Sequence, residues 1–128
     1  MAEKDLDTLL DTLDVYQHEG VWAFKTAADC PGDTLAMAFR EREGWTVIEA
    51  ADLETESENR WAWLELTVVS DLNAIGFLAR ISKALADAGI PCNAVAGFYH
   101  DHIFVPEAKA TDAVSALRGL SSRAGAVE

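Results

Sequence analysis

Trp61-Ala62-Trp63-Leu64-Glu65-Leu66-Thr67-Val68-Val69-Ser70-Asp71-Leu72-Asn73-Ala74-Ile75-Gly76 is the stretch whose reading decides the fold. From Trp61 to Val69 the side chains alternate, with Ala62, Leu64, Leu66 and Val68 on one face and Trp61, Trp63, Glu65, Thr67 and Val69 on the other. That period of two predicts a strand. A polar turn follows, and from Ala74 to Ala88 the spacing of Ile75, Leu78, Ile81 and Leu85 predicts a helix, capped by Asn73 and stopped by Gly89. A strand running through a turn into a helix that opens on glycine leaves the first helical N–H groups unpaired at the positive end of the helix dipole. A small anionic group can sit there.

Downstream, Cys92–Tyr99 reads as a second strand, Tyr99–His102 as a turn and His102–Val105 as a third strand. A last helix from about Ala108 or Thr111 to Leu120 buries Ala113, Val114, Leu117 and Leu120. The second half is thus a β-α-β-β-α unit. A ferredoxin-like fold closes such a sheet with a fourth strand, but Ser121–Gly125 has no strand character, so the open edge calls for strands from the first half.

Upstream, Leu6, Leu9, Leu10 and Leu13 sit on one side of a short amphipathic helix over Glu3–Leu13. Val15–His18 and Val21–Lys25 read as two strands joined by a tight hairpin at Glu19-Gly20, with Trp22 and Phe24 facing inward. Asp29–Asp33 is a loop, and Asp33 or Thr34 is placed to cap the next segment. That segment, Thr34–Arg42, fits a helix or a strand equally well. Trp45–Glu49 is a strand, and Ala50–Asn59 is acidic and weakly helical.

The chain has 128 residues and a formal net charge of −12, from 22 Asp and Glu against 10 Lys and Arg. That field repels nucleic acid and acidic membrane surfaces, which draw their protein affinity from basic side chains. Half of the residues are apolar, enough for a single core. Cys30 and Cys92 lack the C-x-x-C spacing of a redox or zinc site and read as small buried hydrophobes. The acidic N-terminus is unlike a secretory leader and no apolar run is long enough to span a membrane, so the expected location is the cytoplasm.

Taken together, several segments resemble the ACT domain, a small-molecule-sensing regulatory module. Val69-Ser70-Asp71-Leu72-Asn73-Ala74-Ile75-Gly76 and Ile90-Pro91-Cys92-Asn93-Ala94-Val95-Ala96-Gly97-Phe98-Tyr99-His100-Asp101-His102-Ile103-Phe104-Val105-Pro106 are similar to a bacterial group of short, stand-alone tandem ACT proteins. Arg40-Glu41-Arg42-Glu43-Gly44-Trp45-Thr46 is similar to a motif in the first half of that group. The resemblance implies an α+β, ferredoxin-like βαββα unit over residues 61–128, completed or duplicated by an N-terminal β-rich half over residues 1–60. It implies amino-acid binding at the first strand-to-helix turn, usually at an interface between two units, with regulation rather than catalysis as the output.

The candidate ligand-binding residues are therefore Ser70, Asp71, Leu72, Asn73, Ala74, Ile75 and Gly76, joined by Asn93 from the next strand. Helix amides would hold a carboxylate, with Asp71 or Asn73 meeting an ammonium group. The plain alternative is an ordinary helix start in which Asn73 caps and Gly76 allows close packing. No glycine-rich phosphate loop and no activated nucleophile is legible, so no catalytic residue and no cofactor is expected. His100 and His102 lie on one strand face but lack a third ligand at a signalled spacing, so no metal is expected either. That reading turns on whether His18, the remaining histidine, lies beside them. Arg40 and Arg42 read as part of a solvated rim. Trp61 and Trp63 on one strand face mean that the face is covered, by the N-terminal half, with a homodimer built on top. A ligand-free dimerising interaction module is the alternative to a sensor.

Overall fold

The structure, a computed structural model, describes residues 2–29, 31–32 and 35–121. Cys30, the cap expected at Asp33 or Thr34, and the tail after Ser121 lie outside the described residues. In chain order the elements are α1 (Leu6–Thr12), β1 (Val15–Gln17), β2 (Trp22–Ala27), β3 (Met37–Glu41), β4 (Gly44–Ala50), β5 (Trp61–Leu66), α2 (Phe77–Asp87), β6 (Asn93–Ala96), β7 (Asp101–Pro106) and α3 (Ala110–Arg118). They form one antiparallel-paired sheet in the order β3-β4-β2-β5-β7-β6, with β1 also paired to β5.

β5 behaves as its alternation predicts. Ala62, Leu64 and Leu66 are buried, and Trp61, Trp63 and Glu65 half-buried on the other face. The first face carries the main core, where Leu64, Leu66, Ile103 and Val105 of the sheet meet Leu9 of α1, Ile81 and Leu85 of α2 and Leu117 of α3. Burying each such side chain stabilises the fold by about 1.5–3 kcal/mol.

The expected shape of α2 is corrected at its N-terminus. Asp71 Oδ1 accepts the Asn73 N–H at 2.8 Å, and the Ala74 N–H bonds to the Asp71 carbonyl at 2.9 Å. This turn delays the helix to Phe77, so Asn73 does not cap it. Gly76, at φ +89°, occupies the cap position, and no side chain bonds there. The buried stripe is Phe77, Ile81 and Leu85 with Leu78 partly covered, while Ile75 is 86% exposed. At the other end Gly89 stops the helix as expected. Its N–H bonds to the Ala86 carbonyl and the Ile90 N–H to that of Leu85, which satisfies two of the helix's last acceptors.

The hairpin expected at Glu19-Gly20 does not form. β1 and β2 run in the same direction along one edge of β5, with Val15 opposite Leu66, Gln17 opposite Leu64, and then Trp22 opposite Trp61. A regular register would set Gly20 opposite Trp61, so two extra residues bulge out between His18 and Val21. β1 thereby fills the edge position left open by the missing fourth strand. On β2 it is Ala23 that is fully buried, and the expected aromatic side, Trp22 and Phe24, is half-buried. Within the undecided Thr34–Arg42 segment, Met37–Glu41 is strand β3, paired to β4 across the turn at Arg42-Glu43. The acidic Ala50–Asn59 segment is not an α-helix. β4 ends at Ala50, and turns lead to a single 3-10 turn at Ser57–Asn59.

β2, β4 and β3 repeat the arrangement of β5, β7 and β6. In each set the first strand pairs with the third and the third with the second, so the sheet is a duplicated unit joined where β2 meets β5. No helix among the described residues is long and apolar enough to cross a membrane.

Candidate functional site

The turn between β5 and α2 is held from two sides. Ser70 is buried, and its Oγ donates to Asp101 Oδ2 at 2.9 Å. Asp101 begins β7 and is itself only 6% exposed. On the other side the N-terminal arm lies parallel to the turn, with the Glu3 N–H bonded to the Val69 carbonyl at 2.9 Å and the Asp71 N–H to the Glu3 carbonyl at 2.8 Å. Leu6 of α1 stands 3.6 Å from where a side chain on Gly76 would begin.

Two clefts share this turn. The inner one, about 140 Å³, is bounded by Ser70, Asp71, Gly76, Phe77, Ala96 and Asp101. The outer one, about 480 Å³, is bounded by Ala2, Val69, Leu72, Asn73, Phe98 and Tyr99 and also reaches Ser70 and Asp71. Leu72 (64% exposed) lines both clefts, Phe98 (73%) and Tyr99 (67%) form an apolar rim on the outer one, and Ile75 (86%) is exposed beside them in the same turn. The inner cleft joins the uncapped N-terminal end of α2 to a buried carboxyl group, so a positive and a negative element face a space of a few heavy atoms.

Of the predicted site residues, Ser70, Asp71, Leu72, Ala74 and Gly76 line the inner cleft and Asn73 the outer one. Ile75 points to solvent beside them. Asn93 is not brought to the turn. It lies exposed at the start of β6 opposite Phe104, whereas the residue of β6 that reaches the cleft is Ala96 at the strand's other end. Asp101, Phe98, Tyr99 and the N-terminal arm were missed. Asp101 carried a signal, because it is the one charged residue on the alternating face that Ile103 and Val105 bury. Asp101 belongs to β7 rather than to the turn expected at Tyr99–His102, and the turn itself is Gly97–His100, closed by the Gly97 N–H on the His100 carbonyl at 2.9 Å. Cys92 is half-buried, and burial raises its thiol pKa.

The comparisons with known proteins agree with this fold. Residues 56–119 match one ACT domain family and residues 1–57 match another. The chain belongs to the ACT domain family. ACT domains commonly serve in regulatory ligand binding and are typically not catalytic. Among solved structures, this ACT protein is similar to VC0802 of Vibrio cholerae, a protein of unknown function described as a possible transport protein. The identity is 34% and the TM-score 0.77, over 92% of this chain and 97% of that one. Atu0741 of Agrobacterium tumefaciens shares the fold at 13% identity, with a TM-score of 0.68 over 84% of this chain and 88% of the other. No curated protein matches the chain.

The second face of the sheet, expected to be covered, carries an aromatic layer. Trp63 stacks on His18 at 3.7 Å and meets Trp22 edge-on at 5.0 Å, and Phe24 contacts both Trp61 and Phe104 at 5.6 Å. The contacts from the N-terminal half are thus intramolecular. The Trp22 Nε1 atom is buried without a hydrogen-bond partner among the described residues.

Proposed function

We propose that this ACT protein is a cytoplasmic regulatory protein without catalytic activity of its own, built of two ACT halves that meet near residue 60. It binds a small ligand of the amino-acid class at Ser70–Gly76 and works as a homodimer. The observation that carries the reading is the inner cleft, where the uncapped start of α2 at Gly76 faces the buried Asp101 carboxyl group. A zwitterion matches that pair, carboxylate toward the helix amides and ammonium toward Asp101, with a side chain extending toward Phe98 and Tyr99 in the outer cleft. The absence of a glycine-rich phosphate loop and the net charge of −12 argue against nucleotides. Calorimetry with the twenty amino acids at millimolar concentration tests the reading. One or a few are expected to bind, with binding lost in Gly76→Val, and silence across the panel would sink it.

The apolar rim favours a second reading, in which the same face docks a second copy and no ligand is involved. Exposed apolar clusters of this kind mark interaction surfaces. Sedimentation separates the two: Phe98→Ser is expected to yield monomers in both cases, but only a sensor changes its dimerisation when an amino acid is added.

A further inference from the structure

All three histidines of the chain converge on one glutamate. His18 Nε2 lies 2.9 Å from Glu65 Oε1, and His100 Nε2 lies 3.7 Å from Glu65 Oε2. His102 stands directly across the β5–β7 ladder from Glu65, and one donor atom each from His18, Glu65 and His102 fall within 4.8 Å of one another. The placement follows from register. Glu65 and His102 are cross-strand partners, and His18 continues the register of β1 opposite Trp63, its N–H bonded to the Trp63 carbonyl at 2.9 Å, and covers that indole ring on ring at 3.7 Å. From this geometry we infer that His18, Glu65 and His102 form a binding site for one divalent transition-metal ion, with His100 holding the second oxygen of Glu65.

The donor set selects the ion. Two imidazoles and one carboxylate suit zinc, nickel, cobalt or copper, whereas magnesium and calcium want oxygen ligands. With bonds of about 2.0–2.1 Å, the donor atoms around a tetrahedral zinc stand about 3.4 Å apart. The 2.9 Å from His18 Nε2 to Glu65 Oε1 lies below that spacing and the 4.8 Å within which all three donor atoms fall lies above it, so the three side chains reach one ion with small shifts. The Trp63 indole N–H donates to His102 Nδ1 at 2.9 Å, a lone pair that an ion must take over from Trp63, and His100 lies 3.3 Å from the Val68 carbonyl through Nδ1 and 3.7 Å from Glu65 Oε2 through Nε2. His18, Glu65 and His100 each keep between a fifth and a third of their side-chain surface, enough for an ion to enter from solvent. Because His18 belongs to the first half and the other ligands to the second, an ion here clips the two halves together across the β1–β5–β7 ladder.

The test is titration of the EDTA-stripped, tag-free full chain with ZnCl2, NiCl2 and MgCl2, followed by calorimetry, tryptophan fluorescence and thermal melting. One zinc per chain is expected, bound at least about tenfold more tightly than magnesium, with a fluorescence change from Trp63 and a raised melting temperature. His18→Ala and Glu65→Gln should each weaken zinc at least about tenfold. Glu65→Gln keeps a hydrogen-bonding group for His18, and circular dichroism verifies that it is folded. Cys92→Ser should bind as the parent does. Zinc and magnesium binding alike, or zinc affinity unchanged in both ligand variants, would mean adventitious binding to surface carboxylates and would overturn the site.

Discussion

β2, β4 and β3 repeat the strand order of β5, β7 and β6, yet among the described residues only the second set carries helices on its inner face. The difference lies in the connections. In the second half residues 67–92 join β5 to β6 and include α2, whereas in the first half residues 28–36 join β2 to β3, broken by Pro31-Gly32, with no helix among the described residues. Where the second half closes with α3, the first has the acidic turns of residues 51–60. The faces record this. Across β5 and β7 Leu64 sits opposite Ile103, both fully buried. On the matching face of β2 and β4, Ala23 and Val47 are buried, but their neighbours Lys25 and Glu49 form a solvent-exposed ion pair at 3.6 Å. Strand order alone gives a sheet; the crossover helix gives both a core and a helix end at which a ligand can be held.

Breaking the core of the second half is expected to have the largest effect. Leu64→Ala should cost about 2–5 kcal/mol, since the core around a fully buried leucine collapses only in part. Phe39→Ala on the exposed β3 of the first half should stay within about 0.5 kcal/mol. Urea denaturation measures both. Equal losses would mean that the first half also packs against something substantial.

A smaller effect is expected at the junction of the halves. Asn59 Oδ1 accepts from the Phe24 N–H and from Trp61 Nε1, both at 3.0 Å, and its Nδ2 donates to the Phe24 carbonyl at 2.9 Å. One side chain therefore ties β2 to β5. Asn59→Ala leaves partly buried donors unpaired and should cost about 1–3 kcal/mol. Hydrogen exchange should show the added opening in β2, with the β5–β7 ladder protected as before. Uniform loss of protection would show that the two halves unfold as one unit.

How much of this was legible in the sequence depends on the range of each contact. The alternation of β5, the Phe77–Leu85 region as helix and the stop at Gly89 are local patterns and were readable. Register with a distant strand was not. Val15–His18 followed by Glu19-Gly20 looks like half of a hairpin, and only the pairing of both segments with β5 reveals a bulge instead. The Ser70–Gly76 turn was found from its strand-turn-helix pattern and the family resemblance. Asp101 and the Glu3 arm come to it through β7 and a parallel bridge, which no local period encodes. The meeting of His18 with His102 was invisible for the same reason, although the two histidines of Tyr99–His102 pointed halfway to it.

The finest distinction between the halves sits on two glycines with the same φ. Gly20, in the bulge of the first half, has φ +90°, and Gly76, at the start of α2, has φ +89°. An alanine at either position meets little: its Cβ would lie 3.9 Å from Trp22 Nε1 at Gly20 and 3.6 Å from Leu6 Cδ2 at Gly76, ordinary contact distances. The cost is therefore conformational, about 1–2 kcal/mol for holding a side chain in the left-handed region, and should be nearly equal in Gly20→Ala and Gly76→Ala. Melting curves are expected to coincide. Ligand affinity is expected to separate them, because only the second methyl group projects at the mouth of the inner cleft and only that turn redirects the helix amides. Equal melting with an amino-acid response lost in Gly76→Ala alone assigns the site to the second half. A response lost equally in both would attach ligand binding to general stability, and one lost only in Gly20→Ala would move it to the first half.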